Sequence, residues 1–175
     1  MKEWITKQKN NFKKHQKGRT ILLFLLLFFF GLSFLKEVGV NYDEKAEQNI
    51  LKMNILEYAN FLNPQSDLVK FYKEGIVPIY QSVEKDHGIS PYYLFTPFLT
   101  LNKVSEHTLS LAWHLYTYIL FFVGVLFCYR LIKELWNSKK VALVTSLIFF
   151  LTPRIFADGL YNNKDCILIT FVFML

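Results

Sequence analysis

The run Leu109–Tyr129 holds 21 residues without a single Asp, Glu, Lys or Arg. A helix crosses a bilayer with about 20 mostly apolar residues at about 1.5 Å rise per residue, so this run is long enough by itself. Three shorter apolar runs accompany it: Ile21–Leu35, Val141–Thr152 and Cys166–Leu175. The first reaches spanning length if Thr20 and Lys36–Val40 snorkel at its ends. The third reaches it by continuing as a helix past Pro153, with Arg154 at the interface. The fourth stops after ten residues with no basic segment behind it, which implies a longer protein of which this is the N-terminal part. With 53% hydrophobic and 18% aromatic residues, 18 of them Phe, the chain departs from soluble composition. The expected fold class is all-α, a polytopic membrane protein.

Charge sets an orientation. Residues 1–19 carry seven Lys/Arg against the single Glu3, directly before the first apolar run. That flank fits a cytoplasmic N-terminus under the positive-inside rule better than a nucleic-acid arm, and no small-x-small cleavage site follows to make it a signal peptide. Arg130, Lys133, Lys139 and Lys140 gather at the next predicted cytoplasmic turn, with Tyr129 and Trp136 as belt residues. The resulting layout is a basic tail (1–19), a first span (20–38), an outer loop (39–106), a second span (107–135), a cytoplasmic turn (136–140), a third span (141–156), a short outer loop (157–164) and the start of a fourth span (165–175). The predicted location is a plasma or inner membrane, crossed several times.

The outer loop has structure of its own. Leu51, Ile55, Tyr58 and Leu62 recur at helical spacing, with Glu47, Lys52, Asn54 and Glu57 elsewhere, so residues 43–62 read as an amphipathic helix at the membrane surface that Asn63-Pro64 terminates. The Pro-interrupted aromatic stretch from Ser90 to Leu101 is too short to span and reads as interfacial. Cys128 and Cys166 lie inside apolar runs and behave as small hydrophobes. No Cys/His set has zinc spacing, and His114, inside the longest run, reads as a packed, hydrogen-bonded residue rather than a ligand. Phosphate loops, nucleophile elbows and repeats are absent from the sequence.

Two acidic clusters open predicted helices. Asn41-Tyr-Asp43-Glu44 places Asn41 as N-cap with Glu44 at the third helical position, and Asn162-Asn-Lys164-Asp165 repeats the pattern. Capping accounts for both on local pattern alone. It does not account for their common side of the predicted membrane, nor for Lys45, Arg154 and Lys164 beside them.

The ordered set of basic tail, one span, a loop opening with Asp43-Glu44, then Lys85-Asp86-His87-Gly88 before Pro91-Tyr92-Tyr93, then Thr152-Pro153-Arg154 with Asp158 and Tyr161-Asn-Asn-Lys-Asp165 resembles the N-terminal part of GT-C glycosyltransferases. The likeness is to the lipid-carrier-dependent branch that includes protein O-mannosyltransferases and the lipid A aminoarabinose transferase. Gly88-Ile-Ser stands before Pro91 where many relatives have prolines directly after the histidine.

This resemblance implies inverting transfer of a sugar from a polyprenyl-phosphate donor to an acceptor hydroxyl on the extracytoplasmic face. Asp43 would be the general base, Glu44 would position it, and the second acidic position would be Asp165 or Asp158. Desolvation at a membrane surface raises a carboxylate's pKa and makes it a better base. Lys85, Arg154 and Lys164 would neutralise the phosphate, and His87 would hydrogen-bond the sugar or phosphate. Some relatives use a divalent cation such as Mg2+ or Mn2+ and others use none, so no metal ligand is assigned. The expected partners are the lipid-linked sugar, a hydroxyl acceptor and membrane lipids, without nucleic acid. The rival reading is a non-catalytic membrane protein, a transporter or assembly subunit, or an inactive fragment. Transporters place ionisable groups near mid-membrane, whereas these acids sit at helix starts.

Overall fold

The computed structural model describes residues 2–67, 69–70, 76–86, 88, 90–99 and 105–175, with side chains from residue 17 onward apart from that of Tyr42. All regular structure among the described residues is helical. The elements are α1 (Lys2–Leu32), α2 (Tyr42–Leu62), 3-10 turns at Ile79–Gln81 and Ser90–Phe95, α3 (Thr96–Leu99), α4 (Glu106–Trp136), α5 (Lys139–Leu151), α6 (Pro153–Tyr161) and α7 (Asn163–Met174).

The charge-free run forms the centre of α4, which alone among the described residues is long and apolar enough to cross a membrane. Its start is fixed by Ser105, whose side chain accepts a hydrogen bond from the Thr108 backbone N–H at 3.2 Å. Asn137 ends it in the left-handed region, at φ 47°. Ser138 then caps α5 by accepting from Val141 N–H, so the chain reverses within two residues.

The third apolar run does not continue as one helix. It breaks at Thr152, and α5 and α6 meet at a 66° bend; only as a bent pair do they match a spanning segment. Pro153 supplies no N–H and crowds the residue before it, so Thr152 is extended (ψ 117°) and Pro153 becomes the first residue of a new helix. Helix α1 likewise stops at Leu32, short of residue 38. Bonds from Phe34 to Gly31, Leu35 to Leu32 and Glu37 to Phe34 tighten the chain into turns there.

Packing radiates from α4. Its Tyr118, Phe121, Phe122 and Val125 are buried against Phe24 of α1, Phe150 of α5, Leu160 of α6 and Cys166 of α7. Edge-to-face and stacked pairs such as Phe24–Phe122 and Phe121–Phe150 contribute about 0.5–1.5 kcal/mol each beyond simple burial. Close approach is bought by glycine. A Cβ on Gly31 would lie 2.2 Å from the Tyr118 hydroxyl, one on Gly124 2.6 Å from Thr170 Oγ1, and one on Gly159 2.5 Å from the Phe121 ring. Small residues at helix contacts are the usual device where lipid offers no hydrophobic drive between helices. Tyr118 uses the space to donate to the Phe28 carbonyl at 2.9 Å, and Thr170 donates to Leu120 at 2.9 Å. Outward-facing Ile21, Leu22, Leu25, Phe29, Val144, Ile148, Leu168 and Phe171 remain exposed.

Helix α2 packs on a second cluster. Ile50, Leu51 and Ile55 bury against Tyr92, Phe95 and Leu99 of the short turns, Trp113 of α4 and Ile167 of α7. The aromatic stretch after Ser90 is therefore a wedge between α2 and α4, with Leu94 and Phe98 facing outward.

Candidate functional site

The buried stripe of α2 is more polar than its apolar spacing predicts. Tyr58 and Leu62, expected on the packed face, are exposed, whereas Glu44, Glu47 and Gln48 are buried. Positions 44, 47, 48, 51 and 55 follow the i, i+3, i+4, i+7 rhythm of one helix face. The apolar stripe simply continues into polar residues at its N-terminal end, so Glu47 belongs to the packed face and not to the solvent face. Tracing the Leu51–Ile55 stripe back by three, four and seven residues would have found all three.

Glu44 is the anchor. Both its side chain and that of His114 are 2% exposed, and His114 Nε2 donates to Glu44 Oε2 at 3.0 Å. Gln48 Nε2 donates to the other oxygen at 3.1 Å. The expected capping box is not formed. Asn41 is the N-cap but makes no side-chain cap bond, and the Glu44 carboxylate turns inward to His114 and Gln48 instead of back to the Asn41 N–H. His114 is the packed, hydrogen-bonded histidine expected from its place in the apolar run.

The second acidic cluster behaves in the opposite way. Asn162 accepts from the Asp165 N–H, and its Nδ2 donates to Asp165 Oδ2 at 2.7 Å. Asn162 is thus the cap of α7 and Asp165 the residue it holds, exposed to solvent, and its neighbours make the connection to α2. Lys164 Nζ lies 3.2 Å from Glu47 Oε1, with Glu47 6% exposed and Lys164 43%. Asn163, 1% exposed, accepts from the Tyr92 hydroxyl at 3.3 Å. Its Nδ2 has no hydrogen-bond partner at bonding distance among the described residues, although it stands close enough to Glu47 to favour the charged carboxylate.

Asp43 is exposed on the same flank of α2, near enough to Glu47 for the two charges to repel. Arg154 pairs with Asp158 at 3.0 Å within α6, the Arg exposed and the Asp mostly buried, its Oδ1 without a partner at bonding distance among the described residues. Of the sequence-predicted residues, Asp43 and Lys164 meet through Glu47, Asp165 adjoins them as a cap, and Arg154 and Asp158 form their own pair. Lys85 is exposed in a turn and makes no ion pair among the described residues. His87 lies outside the described residues. No group of three acids, histidines or cysteines suited to a metal ion is found among the described residues, and Glu47, which Asp43 faces electrostatically, is paired with Lys164.

Burial raises the pKa of Glu47, and the Lys164 ammonium offsets this only in part. An acid with a raised folded-state pKa binds more protons folded than unfolded, so stability falls as pH rises from the ordinary glutamate value of 4.5 through the folded value and stays reduced above it. Unfolding at a series of pH values from about 4.5 upward is expected to show that decline in the natural chain. Glu47→Gln is expected to flatten it; an unchanged slope would remove Glu47 as its source.

Comparison with protein-family models, with curated proteins and with solved structures finds no match to this chain, so its function rests on the geometry.

Proposed function

We propose that the chain is part of a multi-spanning GT-C-type glycosyltransferase, with its N-terminus in the cytoplasm and the Asp43 flank on the extracytoplasmic side. Apolar side chains left exposed along α1, α5 and α7 support embedding in lipid, since water-facing surfaces rarely carry such continuous apolar area.

The observation that carries the reading is the split fate of two adjacent acids. Glu44 is buried and held by two hydrogen bonds, which fixes the start of α2, while Asp43 beside it is exposed and free to meet a substrate. A base held on a rigid support and flanked by a cation is the arrangement that acyl- or glycosyl-type displacement needs. In the reaction, Asp43 takes the proton of an acceptor hydroxyl as its oxygen attacks the anomeric carbon. The bond from that carbon to the donor phosphate breaks, with inversion, and the polyprenyl phosphate leaves with the electron pair. Lys164 is the cation placed to neutralise it, with exposed Arg154 on α6 as the second. Glu47 orients Lys164, and Asn162, bonded to Asp165, caps the helix that presents it.

In the complete protein, Asp43→Asn is expected to lower transfer from a polyprenyl-phosphate sugar at least about hundredfold, the scale of a lost general base, with membrane abundance unchanged. Undiminished transfer by a normally abundant variant sinks the assignment.

A further inference from the structure

We infer that a second anion site, separate from Asp43 and Lys164, lies between the N-terminal half of α2 and the first turn of α4, and that it takes the phosphate of an anionic lipid headgroup. A cavity of about 500 Å³ opens there, with Lys45, Lys52, Asn49, His107 and Ser110 as its polar lining and Glu106 at its rim. At about 100° per residue, Lys45 and Lys52 stand roughly 180° around α2 from Asp43. The two flanks of the helix therefore present separate sites, divided by the buried Glu44–Leu51–Ile55 stripe.

The cations in this cavity are poorly neutralised. Lys52 is half-buried and has no hydrogen-bond or ion-pair partner among the described residues. Burial lowers its pKa, with Glu106 acting in the opposite sense; an anion nearby would favour the ammonium form. Among the described residues Lys45 pairs only with Glu106, at 4.0 Å, and both side chains are largely exposed, so that contact is easily displaced. Glu44 also borders the cavity, but its two oxygens are already satisfied by Gln48 and His114. Two ammonium groups, an amide, a hydroxyl and the N-terminal end of a 31-residue helix leave donors in excess, which suits a phosphate.

The position selects a lipid as the source of that phosphate. Val40 and Leu109 give the cavity an apolar wall, and it sits where the one spanning-length helix begins. Lysines at such a level meet headgroups, and acyl chains can run down the helix from there.

The site does not depend on the transferase reading, and its test uses binding in the absence of any sugar donor. The 175-residue chain in detergent micelles is titrated by calorimetry with dihexanoyl phosphatidic acid, dihexanoyl phosphatidylcholine and inorganic phosphate. Saturable binding of phosphatidic acid, tighter than either of the others, is expected. Lys45→Ala with Lys52→Ala is expected to weaken it at least tenfold, Lys45→Arg with Lys52→Arg to retain it, and Lys139→Ala, an exposed lysine beyond the far end of α4, to leave it unchanged, all with native helicity. Inorganic phosphate binding as tightly as phosphatidic acid overturns the lipid assignment in favour of a soluble phosphate. Equal binding of phosphatidylcholine, no effect of the double alanine change, or equal loss on Lys139→Ala overturns the site itself.

Discussion

Replacing Glu44 by Ala is expected to destabilise the helical assembly by about 3–5 kcal/mol, the cost of removing one member of a buried ionisable pair. The substitution strips His114 Nε2 and Gln48 Nε2 of their acceptor at a place where both partners are 2% or 7% exposed and Trp113 closes the surroundings. A donor left unsatisfied there carries its full desolvation penalty. His114→Ala is expected to cost a similar amount, because it leaves a carboxylate buried with only Gln48 beside it. The double change Glu44→Leu with His114→Leu is expected to recover most of the loss, since apolar replacements of similar volume need no partners. Thermal unfolding in detergent of the two single variants and the double variant measures the coupling directly. Single variants within about 0.5 kcal/mol of the natural chain, the range of ordinary surface changes, contradict the anchoring role.

The second large effect is expected at Gly124. A Cβ there meets Thr170 Oγ1 at 2.6 Å, with Thr170 Cα and Cβ at 3.4 Å, so a methyl forces the Thr170 hydroxyl to turn away and any larger side chain forces α7 itself to move. Overpacking of this kind costs about 1–3 kcal/mol and more when backbone must move. Gly124→Leu is accordingly expected to separate α7 from α4 and to break the Thr170 bond to Leu120. Gly124→Ala combined with Thr170→Ala removes the clash with Oγ1 and leaves only the 3.4 Å approach to Cα, an ordinary contact. It is expected to be more stable than Gly124→Ala alone, as read by the same unfolding measurement. If the single Gly124→Ala change proves neutral, the two helices do not pack as closely as described.

Helix α4 was legible because a charge-free run of that length has few alternatives to an apolar helix, and its N-cap Ser105 and C-terminal Asn137 stand where such residues are used. The bend at Pro153 was also written in the chain, yet hydropathy alone carried the predicted helix past it; the steric demand on Thr152 proved stronger than the continuity of the apolar run. The early end of α1 has no comparable marker, since Ser33 and Phe34 continue the apolar run while their backbone turns.

At the site, the two Asn-led acidic clusters were locally indistinguishable. Asp165 stays bonded to its N-cap Asn162 and Glu44 does not bond to Asn41, and the difference lies in His114, which is 70 residues from Glu44 in sequence. No local pattern reports a partner that distant. Glu47 was misplaced for a simpler reason: apolar periodicity counts Leu and Ile and stops where a buried face turns polar. The meeting of Glu47 with Lys164 again joins segments distant in the chain, through the packing of α2 beside α7.

The central claim is that α2 is pinned against a membrane-spanning α4 so that Asp43 faces the extracytoplasmic side, opposite the α4–α5 turn. The most direct measurement is labelling of intact cells with a membrane-impermeant maleimide. Cys128 and Cys166, both buried, are first replaced by Ala, and Asp43→Cys or Ser138→Cys is introduced singly. The account predicts that position 43 is labelled in intact cells and position 138 only after permeabilisation; labelling of both positions from the same side would contradict it.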